Sequence, residues 1–209
     1  MQPTTMVFHH ASRRIKIVMT DNISDDFPVD SLYKPPEKKS VDEILSADQE
    51  DESLTKYKAT LLGSAPKNAV VDEMDERIVI LKSISLVVNG RPDVKMELSN
   101  AGALEDATFK LKEGCQYRLR FDFFVQREIV TGLKYIHKVS RYGVPVLKEA
   151  FMVGSYAPKA EIQSYITPIE EVPSGMVHRG KYKVKSKLTD DDEHNWLTWT
   201  WTTEIAKDW

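Results

Sequence analysis

From Arg77 to the end of the chain, short runs of residues alternate between apolar and polar side chains, and this alternation constrains the fold more than any other feature. Successive side chains of an extended strand point to opposite faces, so a period of two predicts strands with one buried face. In residues 117–126 one face is aromatic and aliphatic, whereas the other carries charged residues such as Arg118 and Asp122. Eight of the nine glycines lie at or after Gly90, where they separate the runs as turn residues.

The alternation predicts eight strands with no long helix between them. Their predicted ranges are 78–88, 94–98, 108–111, 117–126, 129–139, 146–153, 181–188 and 197–205. Many short strands joined by turns are typical of two antiparallel sheets packed face to face. We therefore predict an all-β fold, an antiparallel β-sandwich of about 130 residues.

The first 60 residues have a different character, because acidic residues dominate their second part and no strand pattern occurs. Residues 1–20 carry three basic and no acidic residues, residues 21–60 carry eleven acidic and five basic residues, and the rest balances at 21 of each. The acidic segment repels nucleic acid and suits a basic partner. Residues 1–20 fit an extension, an alternative start or a targeting segment. We predict a disordered extension over 1–32, a regulatory arm over 33–63, a linker over 64–76 and the sandwich over 77–209.

Two short helices are predicted within the arm. Ser40 with Glu43 forms a capping box for the first. The second starts at Asp51 or Ser53, and its apolar side is the stripe Leu54, Tyr57, Leu61. Each helix is under about a dozen residues, too short to be stable alone in water, so the arm needs a surface to fold against.

The sequence offers little catalytic or metal-binding chemistry. The single cysteine excludes an intramolecular disulfide and a Cys-rich zinc site, and it is typical of a reducing compartment. The five histidines lack metal-ligand spacing, and no glycine-rich phosphate loop is present. At Asp190–Asp192 a solvated loop is favoured over a calcium site, because the glycine and distal glutamate of an EF-hand are missing. We predict a cytoplasmic binding protein that is not an enzyme, with no metal, no cofactor and no transmembrane helix.

Two tryptophans, Trp199 and Trp201, share one face of the last predicted strand. Their rings could belong to an ordinary core between the sheets. They could equally be the walls of a sandwich that is wedged open around an apolar ligand. Periodicity does not separate these two interpretations.

Seven stretches of the chain resemble the Rho GDP-dissociation inhibitor family, and they occur in order from Tyr33 to Trp209. They are residues 33–36 (YKPP), 51–58 (DESLTKYK), 111–114 (LKEG), 127–130 (REIV), 152–156 (MVGSY), 189–192 (TDDD) and 207–209 (KDW). The resemblance implies an immunoglobulin-like sandwich that holds an isoprenoid group, and an arm that binds the switch regions of a GTPase. It further implies GDP-bound, geranylgeranylated Rho-family GTPases as partners in a 1:1 heterodimer. The chain alone would be a monomer that binds no nucleic acid and does not insert stably into membranes.

The resemblance also implies three groups of site residues. The GTPase switch regions would be bound by Tyr33, Asp51, Ser53, Leu54 and Tyr57. The isoprenoid pocket would be formed by Leu86, Phe109, Tyr117, Ile129, Phe151, Val177, Val184, Trp199 and Trp201. Acidic residues facing the basic tail of the GTPase would be Glu170, Glu171, Asp190, Asp191 and Asp192.

One departure from the family pattern concerns regulation. Lys181 stands where vertebrate members have a serine that is phosphorylated, which puts release through that site in doubt, and Thr108 stands at a second such position. Two other functions are alternatives to the one that the family resemblance implies. A general isoprenoid or lipid carrier would not need the helix at Asp51–Tyr57. An adhesion-type immunoglobulin domain is disfavoured by the lone cysteine and the absence of a secretory signal.

Overall fold

The computed structural model describes residues 51–62, 69–98 and 108–209. Within these residues the chain forms one α-helix, ten strands and one short 3-10 helix. The elements are α1 (Glu52–Leu62), β1 (Val79–Val88), β2 (Val94–Glu97), β3 (Thr108–Lys112), β4 (Gln116–Val125), β5 (Val130–Arg141), β6 (Val144–Tyr156), β7 (Gln163–Ile166), β8 (Glu170–Glu171), the 3-10 helix (Met176–His178), β9 (Gly180–Thr189) and β10 (Asn195–Ala206).

The helix α1 begins at a defined cap. Oδ1 of Asp51 accepts hydrogen bonds from the backbone N–H groups of Ser53 (2.8 Å) and Leu54 (3.1 Å). These bonds satisfy two N–H groups that have no partner inside the helix. Of the two caps that the sequence allows, the structure therefore has Asp51. The predicted capping box at Ser40 and Glu43 lies outside the described residues.

The ten strands form two sheets of five strands, which confirms the predicted all-β sandwich. Sheet I has the order β2-β1-β4-β7, with β8 also paired to β4. Sheet II has the order β3-β10-β9-β5-β6. All pairs are antiparallel except β3 and β10, which run parallel. A parallel pair needs a long crossover connection, and here residues 113–194 lie between the two strands.

The inner faces of the two sheets meet in one core. Aliphatic residues dominate the part contributed by β1, whereas aromatic rings dominate where β4, β5 and β10 face one another. Phe121 and Tyr135, from opposite sheets, have ring centroids 4.4 Å apart. The Tyr135 ring lies 5.9 Å from that of Trp199 on β10, across the intervening strand β9 of the same sheet. This aromatic layer sets the position of the two sheets relative to each other, because strands of both sheets contribute rings to it.

Gln126 fastens the segment that leads into the first strand. Its side chain is fully buried. Its Nε2 donates hydrogen bonds to the carbonyl oxygens of Asp75 (2.6 Å) and Arg77 (2.7 Å). Its Oε1 accepts hydrogen bonds from the N–H groups of Val71 (3.0 Å) and Asp72 (3.1 Å). The side-chain amide of Gln126 thus makes all four of these hydrogen bonds to the backbone of residues 71–77. The sequence predicts most of this segment as linker.

The eight predicted strands are all present, with ends shifted by a few residues. Two short strands, β7 and β8, were not predicted. β7 has four residues and β8 has two, so neither is long enough to show a period of two. Both are specified by pairing with β4, where Phe121 faces Tyr165 and Tyr117 faces Glu170. Such pairing is a tertiary effect that local sequence does not contain.

Candidate functional site

An apolar cavity of about 480 Å³ opens at one end of the sandwich. Its volume falls within the range of about 300–1,000 Å³ that is common for small-molecule sites. Its apolar lining residues are Leu111, Val139, Val146, Leu147, Val172, Pro173, Val177 and Ile205. Its polar lining residues are Tyr117, Arg141, Glu170, Glu171, His178, Tyr182 and Thr203. Side chains from both sheets therefore contribute to one cavity.

The cavity lies at the end of the sandwich where β8, a strand of two residues, pairs with the start of β4 in sheet I. Pro173 follows soon after β8 and has no backbone N–H with which to continue the ladder. From sheet II, Leu111, Val139 and Ile205 contribute apolar side chains to the cavity. The cavity is therefore bounded by the end of sheet I and by the long strands of sheet II.

A loop that contains the 3-10 helix closes one side of the gap, and Glu113 holds it. The Glu113 carboxylate accepts hydrogen bonds from Arg179 Nη2 (2.6 Å) and Nε (2.9 Å) and from the N–H of Gly175 (3.0 Å). A bidentate pair of this kind stabilises the contact and also fixes the relative orientation of the two side chains. The Arg179 hydrogen bonds, followed by that of Gly175, lower the pKa of Glu113 to about 2. The clamp therefore stays charged throughout the neutral range.

Arg141 holds the same loop from the side of sheet II. Its Nη1 donates to the carbonyl oxygen of Val177, and its Nη2 donates to that of Arg179 at 2.7 Å. The guanidinium lies 5.2 Å from the ring centroid of Tyr182, whose hydroxyl donates to the carbonyl oxygen of His178 at 2.7 Å. Val177 and His178 are thereby held at the cavity while the Val177 side chain stays 79% exposed.

The side of the cavity contributed by sheet I is acidic. Glu170 and Glu171 form β8, and Glu170 is the register partner of Tyr117. Burial, followed by the charge of Glu170, raises the pKa of the Tyr117 hydroxyl. Tyr117 is therefore a neutral wall residue beside a carboxylate. An apolar interior next to an acidic rim can accommodate a hydrophobic group attached to a basic segment.

The structure places the predicted pocket residues in three different environments. Tyr117 and Val177 line the cavity. Ile129 is half-buried just before β5. The others are buried in the core between the sheets, at 1–4% exposure except Trp201 at 6%: Leu86, Phe109, Phe151, Val184, Trp199 and Trp201.

Trp201 is closely packed in that core and makes a hydrogen bond there. Its Nε1 donates a hydrogen bond to Ser186 Oγ at 2.9 Å, and the Tyr135 hydroxyl shares the same oxygen at 3.0 Å. Its ring meets that of Phe109 edge-on, with centroids 5.4 Å apart. A buried indole with its N–H satisfied is a well-packed core group. In this structure Trp201 is thus part of the packed core beneath the cavity.

The predicted acidic residues fall into two groups, at opposite ends of sheet II. Glu170 and Glu171 are at the cavity, whereas Asp190–Asp192 follow the last residue of β9. The ten residues of that strand separate the groups by about 30 Å. Asp190 is buried and accepts hydrogen bonds from the N–H of His194 (2.9 Å) and from that of Asp192. Asp191 pairs with Lys134 at 2.6 Å.

The described part of the predicted switch-binding group is exposed. Asp51, Ser53 and Leu54 lie at the start of α1, and Leu54 is 41% exposed. Tyr33 and the side chain of Tyr57 lie outside the described part of the structure. The cap at Asp51 orients this first turn, because its carboxylate holds two consecutive N–H groups.

Several residues that form the site were not singled out from the sequence. Glu113 lies in the LKEG stretch, yet its ion pair with Arg179 joins positions 66 residues apart. Arg141 and Tyr182 lie 41 residues apart, and only the pairing of β5 with β9 brings them together. The alternation did place Val139 and Ile205 in strands, but it did not show which inward positions would lack an opposite strand.

Neither a metal site nor a membrane span was found in the part of the chain that the structure describes. No group of three or more His, Cys, Asp or Glu side chains there is arranged to hold a metal ion. The described helices are also too short or too polar to cross a bilayer.

The structure thus presents a β-sandwich with an apolar, acid-rimmed cavity at one end. Comparison with known proteins identifies the family to which such a sandwich belongs here. The family model described as RHO protein GDP dissociation inhibitor matches residues 20–208. The chain therefore belongs to the Rho GDP-dissociation inhibitor family, which confirms the resemblance found in the sequence.

Named relatives cover most of the chain. A probable rho GDP-dissociation inhibitor from Caenorhabditis elegans is 53% identical over 84% of this chain and 92% of its own length. Human Rho GDP-dissociation inhibitor 1 is 44% identical over 92% of this chain and 93% of its own length. Human Rho GDP-dissociation inhibitor 3 is 42% identical over 85% of this chain and 78% of its own length.

Proposed function

We propose that this protein binds Rho-family GTPases in their GDP-bound, geranylgeranylated form, slows nucleotide release and keeps the GTPase off membranes. Family membership supports the GTPase as partner. The observation that carries the lipid part is the apolar cavity between the sheets. The proposed complex is a 1:1 heterodimer in the cytoplasm.

The isoprenoid group sets the energy scale of this proposal. Burying apolar carbon stabilises by about 0.8 kcal/mol per CH₂, so a twenty-carbon chain represents on the order of 10 kcal/mol or more. Surface polar contacts contribute about 1 kcal/mol each and could not offset its exposure to water. A water-excluding site is therefore required, and Leu111, Val139 and Ile205 would supply apolar walls for it.

The lipid would enter beside Tyr117 and Val177, with the packed aromatic residues as the inner boundary. Phe109 and Trp201 lie in the core beneath the cavity. For the lipid to reach deeper positions such as Trp199, the sheets would have to separate further, because that residue is only 4% exposed between them. We propose the remaining predicted residues, Leu86, Ile129, Phe151 and Val184, as contacts of such an opened state.

The arm would supply the inhibition of nucleotide release. Asp51 caps α1 and presents Ser53 and Leu54 at an exposed first turn. A partner could bind this turn without any unfolding of the sandwich. We propose that it binds the switch regions, together with Tyr33 and Tyr57, and stabilises their GDP-bound arrangement.

The two acidic groups would have separate roles. Glu170 and Glu171 line the cavity, so the basic tail that carries the lipid would pass them, in competition with anionic lipid. Asp190, Asp191 and Asp192 lie at the opposite end of sheet II. We propose that they meet a different basic segment of the GTPase.

The lipid part can be tested with a fluorescent, geranylgeranylated peptide that carries a basic Rho-type tail. Val177→Asp places a charge at the cavity on a side chain that is 79% exposed, so the fold should tolerate it. We expect at least tenfold weaker peptide binding, because a charge in an apolar site is strongly unfavourable. Ile162→Asp, at a side chain that is 57% exposed and does not line the cavity, is the matched control and should bind as the parent does. Equal binding by both variants would refute the cavity as the lipid site.

The arm is tested in parallel by nucleotide exchange on a prenylated Rho GTPase. Asp51→Ala with Ser53→Ala should weaken inhibition of exchange and leave peptide binding nearly unchanged. Loss of both activities together would contradict two separable contacts. A chain that binds the peptide but never slows exchange would instead be a general isoprenoid carrier.

A further inference from the structure

Four buried residues with polar atoms form a row across the inner face of sheet II, below the cavity. Register partners on neighbouring strands lie side by side on the same face of a sheet. Four strands of sheet II are neighbours in the order β10, β9, β5 and β6, and each contributes one residue. From β10 to β6 the partners are Trp199, Ser186, His137 and Glu149. We call these four residues the polar row.

The residues of the polar row are no more than 6% exposed, yet most of them keep an unpaired polar atom. Ser186 Oγ is hydrogen-bonded to Trp201 Nε1 (2.9 Å) and to the Tyr135 hydroxyl (3.0 Å). Each of the other three has a buried atom without a hydrogen-bond partner in the described part of the chain: Trp199 Nε1, His137 Nδ1 and Glu149 Oε2. His137 Nε2 lies 3.7 Å from Glu149 Oε2, which is beyond hydrogen-bond distance. Buried polar atoms of this kind are rare, and a ligand or water often satisfies them.

The polar row lies between the cavity and the aromatic core. On β5 and β6, the register pair on its cavity side is Val139 with Leu147, and both residues line the cavity. The pair on its other side is Tyr135 with Phe151, and both are buried in the core. The His137 ring lies 5.4 Å from that of Tyr135 and 5.7 Å from that of Phe151. The order along the sheet is therefore cavity, polar row, aromatic core.

The polar row is within reach of the cavity. Glu149 and Leu147 are two positions apart on β6, about 7 Å, so a change of side-chain rotamers can bring the Glu149 carboxylate to the cavity. Burial, followed by the charges of Glu170 and Glu149, raises the pKa of the Tyr117 hydroxyl. Because Tyr117 lines the cavity, the charge of Glu149 already acts on a wall residue. An apolar cavity with a few polar groups at one end is typical of a small-molecule site.

The unpaired atoms of the polar row suit a hydroxyl group. Glu149 Oε2 accepts a hydrogen bond, Trp199 Nε1 donates one, and His137 Nδ1 does either according to its tautomer. A hydroxyl group both donates and accepts, so it can satisfy two of these atoms at once. Burial lowers the pKa of His137 to about 4, so its ring is uncharged at neutral pH. A ligand carboxylate would therefore face Glu149 without a cation in the polar row, which is unfavourable.

The cationic residue Arg141 of the cavity wall does not alter this preference. Two of its nitrogen atoms donate hydrogen bonds to the backbone carbonyl groups of Val177 and Arg179, which hold the loop. Arg141 also lies four positions along β5 from His137, about 13 Å. A ligand whose polar end is at the polar row would therefore have only its hydrocarbon chain beside Arg141.

We propose that the cavity and the polar row together bind a neutral lipid alcohol, with its hydroxyl group at the polar row and its hydrocarbon chain in the cavity. The hydroxyl group would donate a hydrogen bond to Glu149 and accept one from Trp199 or His137. The chain would lie against the apolar walls and extend toward the cavity mouth. This ligand would occupy the space proposed above for the isoprenoid group, so the inference rests on the proposed function and adds a free lipid as a competitor of the prenylated partner.

Water is the alternative occupant of the polar row. A buried water molecule needs about two to four polar partners, and the polar row could supply them. With water at the polar row, however, the cavity would bind lipids without regard to their end group. The proposed site distinguishes an alcohol from an ether, because only the alcohol can donate a hydrogen bond to Glu149. The end group of the lipid is therefore the variable to test.

The experiment compares three probes with the same isoprenoid chain, namely farnesol, farnesyl methyl ether and farnesoic acid. Their binding to the full chain, without any GTPase, is measured by titration of tryptophan fluorescence, to which Trp199 contributes. Farnesol should bind at least about tenfold more tightly than the methyl ether, which corresponds to one hydrogen bond to a charged group. Farnesoic acid should bind no better than the ether at neutral pH, because its carboxylate would face Glu149.

Three variants locate the preference. His137→Leu with Glu149→Leu should abolish it, so that farnesol binds only as well as the ether, and apolar replacement of a buried polar pair is often neutral or stabilising. Glu149→Gln, which is nearly isosteric, keeps an uncharged acceptor and should reduce the preference by about threefold. This variant tests the site even if the double variant does not fold. The matched control, Thr198→Leu with Thr200→Leu on the outward face of β10, should keep the full preference.

Equal affinity of the parent for farnesol and its methyl ether would refute the polar row as a ligand site. An undiminished preference in Glu149→Gln and in the folded double variant would refute the residues assigned to it. These results are separate from the proposed function, which fails alone if the prenylated peptide does not bind while farnesol keeps its preference. If both proposals hold, farnesol should displace the prenylated peptide about tenfold more effectively than the ether does. Simultaneous binding of farnesol and the peptide would place the alcohol elsewhere and overturn the inference.

Discussion

The outer faces of the two sheets carry their charged groups in different arrangements. On sheet I, Arg120 contacts Asp93 at 3.1 Å, and Asp122 accepts hydrogen bonds from Ser83 (3.0 Å) and Ser164 (2.7 Å). On sheet II, Lys185, Lys138 and Lys148 are register partners in one row across β9, β5 and β6. Opposite charges on facing strand positions stabilise a sheet and like charges destabilise it, so removal of a charge should affect the two faces differently.

The difference continues inside the sandwich. Some buried side-chain atoms in the described residues have no hydrogen-bond partner, and all of them belong to strands of sheet II. They are His137 Nδ1, Arg141 Nε, Glu149 Oε2, Trp196 Nε1 and Trp199 Nε1. Buried polar groups without partners are unfavourable. Among the described residues this cost therefore falls on the strands of sheet II.

The largest effect should come from acid, through His137. Burial lowers the pKa of His137 to about 4, below its ordinary value of 6.5, and Glu149 Oε2 lies 3.7 Å from its Nε2. The unfolded chain then binds more protons between these two pH values. Stability should therefore be complete above pH 6.5 and fall by about 3 kcal/mol as pH decreases to about 4.

Urea unfolding at several pH values measures this loss. His137→Gln should show a much smaller loss across the same window, whereas His178→Gln, an exposed position, should behave like the parent. Apart from the substituted histidine, all ionisable residues are the same in the parent and the two variants, so the difference between the curves reports on position 137 and its contact with Glu149. Parallel curves for the parent and His137→Gln would be inconsistent with a buried neutral imidazole.

The next largest effect is expected when a carboxylate is removed from the outer face of sheet I. Asp122→Ala removes the acceptor of Ser83, whose side chain is 99% buried, and leaves Arg120 with one carboxylate fewer. We expect a loss of about 2 kcal/mol, equivalent to about 4–8 °C in Tm. Thr200→Ala, an outward position on sheet II, should change stability by less than about 0.5 kcal/mol. Thermal melting of both variants measures these losses. A similar small shift of Tm in both would contradict the proposed difference between the outer faces.

The smallest effect is expected when one lysine is replaced on each outer face, and the change in stability should have opposite signs on the two sheets. The pKa of Lys148 is lowered in the folded state, so its charged form is disfavoured there at neutral pH. Lys148→Gln should then stabilise the protein by a few tenths of a kcal/mol, an effect that fades in high salt and as pH rises toward 10.5. Lys95→Gln on sheet I removes a 3.1 Å contact with Glu97 and should be neutral or slightly destabilising. Chemical unfolding at low and high salt measures both variants. A loss of stability in Lys148→Gln as well as in Lys95→Gln would show that the charges in the lysine row do not repel one another.

Much of the fold could be predicted from the sequence, because alternation is a local property. The strand at 197–205 was found from its pattern, and it spans Asn195–Ala206 in the structure. The parallel pairing of that strand with Thr108–Lys112 could not be found, since register depends on distant residues. The lysines of β9 are visible in the sequence, yet only the pairing with Lys138 and Lys148 shows that they form one surface.

The candidate site was predictable only in part, for the same reason. Tyr117, Val177, Glu170 and Glu171 were named from family resemblance, and all four line the cavity. The aromatic residues named with them are packed in the core. Side chains of both kinds alternate along strands in the same way, and whether an inward residue faces a partner or a gap depends on the opposite sheet.

The anchoring of residues 71–77 by Gln126 has a consequence for binding strength. It fixes the point at which the tether to α1 begins, and only seven residue steps separate Ala69 from Leu62. That tether spans at most about 25 Å. A partner already held at one contact would therefore meet the other at an effective concentration in the millimolar range. Two individually weak contacts could then yield an avidity about 10²–10⁴ times either one, and lengthening the tether would lower it without touching a single contact residue.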